Sequence, residues 1–184
     1  MARVPRELFV PEPQRPFAYA DRALPLAFGQ TVSQPFVVAF MCQELALEGW
    51  ERVLDVGTGS GYGAAVLAEL AGEVHTIERI PALALDARAT LGRAGYGRVA
   101  VHVGDGSRGL ASKAPFDAIS VAASGRDLPA ALWEQLAPGG RIAIPLASGR
   151  RQQRLCVFAR DPHGPRLVAS LPARFVPLVS EPPC

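Results

Sequence analysis

A short β-rich run, Arg52-Val53-Leu54-Asp55-Val56, passes through the loop Gly57-Thr58-Gly59-Ser60-Gly61 and hands over to an apolar stretch from Tyr62 to Leu70. Glycines at every second position let the backbone turn sharply and let a ligand approach it closely. A strand, a glycine-rich loop and a helix start in that order form the ligand-receiving corner of a parallel α/β sheet. The rest of the chain must then supply further strands and helices to cover both faces of that sheet.

The pattern along the chain supplies them. Residues 34 to 47 place Phe36, Val37, Phe40, Met41, Leu45 and Leu47 at roughly helical spacing, which predicts a helix ending near Gly49. After the first strand and its helix, further strands are expected at Val74–Glu78, Val99–Val103, Phe116–Val121 and Arg141–Pro145. Helices are expected between them at about Pro81–Leu91 and Leu128–Leu136. Alternation of this kind predicts a mostly parallel sheet. The tail changes character: Leu155–Ala159, the turn Asp161-Pro162-His163-Gly164-Pro165, and Leu167–Ser170 read as an antiparallel hairpin added to the sheet. Residues 1 to 35 are proline-rich and aperiodic, with turns expected at Pro11 to Pro16, and read as an irregular lid segment. With no linker or repeat in the pattern, residues 1 to 184 are expected to form one domain.

Composition narrows the function classes. A chain of 184 residues can bury roughly 70% of its unfolded surface, enough for a core without staples. A formal charge of +2 is too small for the basic stripe of a nucleic-acid binder. Cys42, Cys156 and Cys184 lie far apart and suggest neither disulfides nor a metal site. There is no signal-like start and no long apolar run. A soluble cytoplasmic monomer with no metal, membrane or nucleic-acid partner is the expectation. His75, His102 and His163 have no ligand-spaced partners and read as structural or solvated. So does the Arg150, Arg151 and Arg154 group.

The loop can be written G-x-G-x-x-A from Gly59 to Ala64, with Glu78 nineteen residues beyond Gly59, which raises a nicotinamide dinucleotide as a ligand. Asp55 argues against it. A carboxylate at the end of the first strand would repel a pyrophosphate on the helix start. S-adenosyl-L-methionine instead brings an ammonium and a sulfonium, both favoured by nearby negative charge. Glu78 would then accept from the ribose hydroxyls, and Asp105, in Gly104-Asp105-Gly106, from the adenine amino group. All three acids fall at carboxyl ends of strands, where ligands of open α/β sheets bind.

With these pieces placed, the chain resembles the protein-L-isoaspartate O-methyltransferases over nearly its whole length. The matching stretches include Val4-Pro5-Arg6-Glu7-Leu8-Phe9-Val10-Pro11, Gly29-Gln30-Thr31-Val32-Ser33-Gln34-Pro35, the loop Asp55 to Tyr62, Gly104-Asp105-Gly106, Pro138-Gly139-Gly140-Arg141 and Arg174-Phe175-Val176-Pro177-Leu178-Val179. The resemblance implies a Rossmann-like S-adenosylmethionine-dependent methyltransferase fold with a seven-stranded, mostly parallel sheet and the C-terminal antiparallel hairpin. It implies methyl transfer to the α-carboxylate of isoaspartyl residues in damaged proteins or peptides, with S-adenosyl-L-homocysteine as product. By position, Ser33 would be the catalytic serine. The donor would be bound by Gln30, Thr31, Val32, Ser33, Asp55, Gly57, Thr58, Gly59, Ser60, Gly61, Glu78, Arg79, Asp105, Gly106 and Val179.

The chain also departs from the family pattern. The family's usual helices ahead of Val4 are missing, Ala27 stands where glycine is usual, Phe28 where a polar residue is frequent, and Ser124-Gly125-Arg126-Asp127 follows the fourth strand. Two other readings therefore stay open: a specialised enzyme methylating aspartate in one peptide of a modified-peptide pathway, and a non-catalytic cofactor-binding adaptor.

Overall fold

The computed structural model describes residues 2–148 and 152–180. Arg150, Arg151 and Cys184 lie outside them. The first segment is built of short turns rather than one irregular coil: 3-10 helices at Arg6–Phe9, Glu12–Phe17 and Ala27–Gly29, and an antiparallel ribbon of β1 (Leu24–Pro25) with β2 (Thr31–Val32). Prolines at 11, 13 and 16 fix φ and withhold donors, which suits tight turns and disfavours longer helices. Helix α1 (Pro35–Leu45) opens on a proline, whose missing N–H costs nothing in a first turn, and closes on Ala46 in the left-handed conformation (φ 51°).

The alternating part follows: β3 (Arg52–Val56), α2 (Tyr62–Ala68), β4 (Glu73–Glu78), α3 (Pro81–Arg93), β5 (Ala100–Val103), β6 (Phe116–Val121), α4 (Ala130–Gln135) and β7 (Leu136–Ser148), then β8 (Gln152–Asp161) and β9 (Gly164–Pro172). These strands form a seven-stranded sheet in the order β5-β4-β3-β6-β7-β8-β9. Pairing is parallel from β5 to β7 and antiparallel from β7 through β8 to β9. The glycine-loop strand β3 is therefore central, between β4 and β6.

Adjacent residues of a strand point to opposite faces. Val53, Ala118 and Ala143 pack into one core with α1, α2 and the N-terminal segment, whereas Leu54, Ile119, Ile142 and Ile144 pack into a second with Leu132 of α4. Both sets are essentially buried, which accounts for apolar residues at successive positions, Val53-Leu54 in β3 and Ala118-Ile119 in β6. The hairpin joins the first core through Leu155 and Val157. Among the described residues no helix is long and apolar enough to cross a membrane.

Candidate functional site

The β3–α2 loop leaves the sheet at its carboxyl edge. Gly57 takes φ +95° and donates its N–H to the Ile77 carbonyl (2.9 Å), while Gly61 N–H closes the turn on the Thr58 carbonyl (2.8 Å). Only residues without a Cβ adopt such angles cheaply. The result is a cleft above β3, β4 and β6 walled on the other side by residues 30–33.

Register decides the surroundings of Asp55. It stands opposite Thr76 on β4 and Ser120 on β6, so hydroxyls flank it from both neighbouring strands. Thr76 Oγ1 donates to Asp55 Oδ2 (2.8 Å), and the Thr58 hydroxyl lies 2.6 Å from that of Thr76. Asp55 is 3% exposed. Burial, reinforced by the charge of Glu78, pushes its pKa up to about 7 against the lowering hydrogen bonds from Thr76 and Ser120. A cation beside Asp55 would reverse that balance and hold it ionised.

Glu78 ends β4 with its carboxylate spread between two backbone donors, Gly59 N–H at 3.0 Å and Ile80 N–H at 3.0 Å. It thus ties the glycine loop to the start of α3 while still lining the cleft. Gly106 lines it too, and a Cβ there would lie 2.5 Å from Val56 Cγ1, so the floor at this point is one side chain thick.

The cleft brings together Gln30, Thr31, Val32, Ser33, Asp55, Gly57, Thr58, Gly59, Ser60, Glu78, Arg79, Gly106 and Val179, from five separate parts of the chain. Two residues expected with them stand apart. Gly61 caps α2, where a Cβ would meet Leu91, and Asp105 turns into its own loop, accepting from Ser107 N–H (2.9 Å) and Ser107 Oγ (2.7 Å). Val179 reaches the cleft because the C-terminal stretch pairs with the segment after β6: Ser124 N–H donates to the Val176 carbonyl (2.8 Å) and Leu178 N–H to that of Ser124 (2.9 Å). The Ser124–Asp127 departure is thus built into a sheet junction, with Gly125 also bonded to Pro145.

Sequence reasoning missed Val38, Met41 and Cys42 of α1 and Ser120 of β6, which also line the cleft. Ser120 had a signal, a hydroxyl set between the apolar residues Ile119 and Val121 of β6. Burial pushes the Cys42 thiol up to about 12, so it is no nucleophile at this site. Phe28, one of the departures from the family pattern, is 61% exposed, in the left-handed conformation with φ 58°. His75 Nδ1 pairs with His102 Nε2 (3.1 Å) and His75 Nε2 with Glu73 (2.9 Å), beneath β4 and β5. Among the described residues no group of three or more His, Cys, Asp or Glu could hold a metal ion.

Residues 1–182 match the family model for protein-L-isoaspartate(D-aspartate) O-methyltransferase. A relative from Anaeromyxobacter sp. (strain Fw109-5), protein-L-isoaspartate O-methyltransferase 2, is 52% identical over 97% of this chain and 73% of its own length. A solved protein-L-isoaspartate O-methyltransferase superposes with a TM-score of 0.87 at 28% identity, over 96% of this chain, which spans 59% of that protein. A Plasmodium falciparum structure in complex with S-adenosyl-L-homocysteine shares the fold at 22% identity and a TM-score of 0.78, covering 97% of this chain and 87% of that one. With the cleft and these likenesses in agreement, the chain belongs to the protein-L-isoaspartate(D-aspartate) O-methyltransferase family.

Proposed function

We propose that the protein transfers a methyl group from S-adenosyl-L-methionine to the α-carboxylate of L-isoaspartyl residues in damaged proteins and peptides. The neighbouring backbone nitrogen attacks the resulting ester and expels methanol, and the succinimide so formed begins repair. One observation carries the reading: Ser33 lines the same cleft as Asp55, Glu78 and the glycine loop, so an acceptor wall and a donor wall face one space.

The residues present suit the donor. Asp55 and Glu78 offer carboxylates to an ammonium and to ribose hydroxyls, and the close floor at Gly106 suits a flat ring. When bound, the donor supplies an electrophilic methyl on a sulfonium. The protein then has little covalent work to do. An acceptor carboxyl with a pKa of about 4 is already ionised at neutral pH, so no general base is required. Ser33 donates its hydroxyl to that carboxylate and orients it in line with the methyl. The formal charge of +2 and the free thiols at Cys42 and Cys156 support a cytoplasmic enzyme acting on peptide rather than nucleic acid.

The test is incubation with labelled donor and two short peptides of one sequence, one isoaspartyl and one normal. Label in the isoaspartyl peptide alone is expected. Label in neither peptide removes the proposal.

A further inference from the structure

The motif Val4-Pro5-Arg6-Glu7 has no place in the chemistry above, yet Arg6 is among the most deeply buried side chains in the molecule, at 1% exposure. A buried guanidinium normally faces a carboxylate. This one donates instead to three backbone carbonyls: that of Ala18 by a short bond, that of Ser33 at 2.8 Å, and that of Arg22 at 3.4 Å. Its Nε has no hydrogen-bond partner among the described residues.

The positions of those carbonyls are informative. Ala18 and Arg22 precede β1, and Ser33 directly follows β2. The guanidinium therefore clamps both feet of the ribbon that presents Gln30, Thr31 and Val32 to the cleft. With two residues in each strand, such a ribbon cannot hold its own shape in water. The other side of the guanidinium lies over the Tyr62 ring, 5.2 Å from its centre, and Phe9 packs on the same ring at 6.0 Å. Tyr62 is the first residue of α2, immediately after the glycine loop. One side chain touches the foot of the acceptor wall and the helix start of the donor wall.

Resting on the proposed methyl transfer, we propose that Arg6 is a positioning residue for the reaction. By bonding the Ser33 carbonyl while packed on Tyr62, it sets the distance between the hydroxyl that orients the acceptor and the loop that holds the donor. The planar fork matters as well as the charge. Several donors in fixed directions can reach separate carbonyls at once, which an ammonium on a flexible stem does poorly.

The experiment compares the unaltered protein with Arg6→Lys and Arg6→Met. It reads kcat and KM for an isoaspartyl peptide, the Kd for S-adenosylhomocysteine by calorimetry, and hydrogen exchange of residues 24–33 in the free protein. Methionine fills the volume without donating. Arg6→Met should lower kcat by about 10²-fold, the effect of roughly an ångström of misplacement. It should speed exchange in the ribbon and change the Kd far less than kcat. Arg6→Lys keeps some of the charged hydrogen bonds and should recover roughly tenfold of the lost kcat. Methionine performing as well as lysine, or ribbon exchange unchanged in Arg6→Met, overturns the inference. If Arg6→Met does not fold, Arg6→Lys decides alone: a lowered kcat with retained Kd supports the role, and an unchanged kcat overturns it. Failure of the unaltered protein to methylate the peptide defeats the proposed function, and this inference with it. An active unaltered protein with indifferent variants defeats the inference only.

Discussion

At the scale of single residues, a carboxyl group cut off from water keeps its proton, and Asp55 is such a group. Its pKa of about 7 in the fold lies above the ordinary 3.8. Its contribution to stability is therefore fully present below about pH 4 and is lost as pH rises through 7. A donor carrying an ammonium favours the ionised form. Affinity for S-adenosylhomocysteine should accordingly rise between pH 6 and pH 8, and Asp55→Asn should flatten that rise; calorimetry across this range checks both. A flat profile in the unaltered protein would remove Asp55 from the donor site. Under the proposed function, Ser33→Ala removes the hydroxyl that would orient the acceptor carboxylate. Turnover should fall by roughly 10²-fold, the effect of misplacing a reacting group by about an ångström, with affinity for S-adenosylhomocysteine intact. Calorimetry showing loss of the donor instead would reassign Ser33 to cofactor binding.

At the scale of elements, the floor of the cleft depends on close approach between the turn after β5 and the end of β3. Gly106→Ala puts a methyl group 2.5 Å from Val56 Cγ1 and 3.4 Å from Ile77 Cγ2. The strands must part, at a cost of about 1–3 kcal/mol for such overpacking, readable by denaturant unfolding. Donor affinity should fall with it, and unchanged stability would show that the floor is not tight. Element types were legible from periodicity, whereas several boundaries were not. The strand expected at 141–145 runs from Leu136 to Ser148. Its two ends are set by two partners: Leu136 stands opposite Phe116 of β6, and β8 pairs with it from Arg141 to Ser148. The hairpin strands lengthen for the same reason, and α4 shortens to Ala130–Gln135. A ladder extends as far as two backbones lie side by side, which neither sequence shows alone.

At the scale of the whole molecule, the central sheet was readable because its strands are buried on both faces and so carry apolar residues on both, as Val53 and Leu54 do in β3. The glycine loop was readable because few backbones other than a ligand-receiving turn need glycine at 57, 59 and 61. The sequence by itself therefore determined the α/β order, the loop and the acids that end β3 and β4. Tertiary structure alone decided that Thr76 and Ser120 flank Asp55, because that depends on register between strands far apart in the chain. It decided that Met41 and Cys42 share the cleft, and that Asp105 caps its own turn while Gly106 meets the space. It also gave Arg6 a place under Ser33, across 27 residues. Local pattern records which face a side chain must bury, but not which distant carbonyl it will meet there.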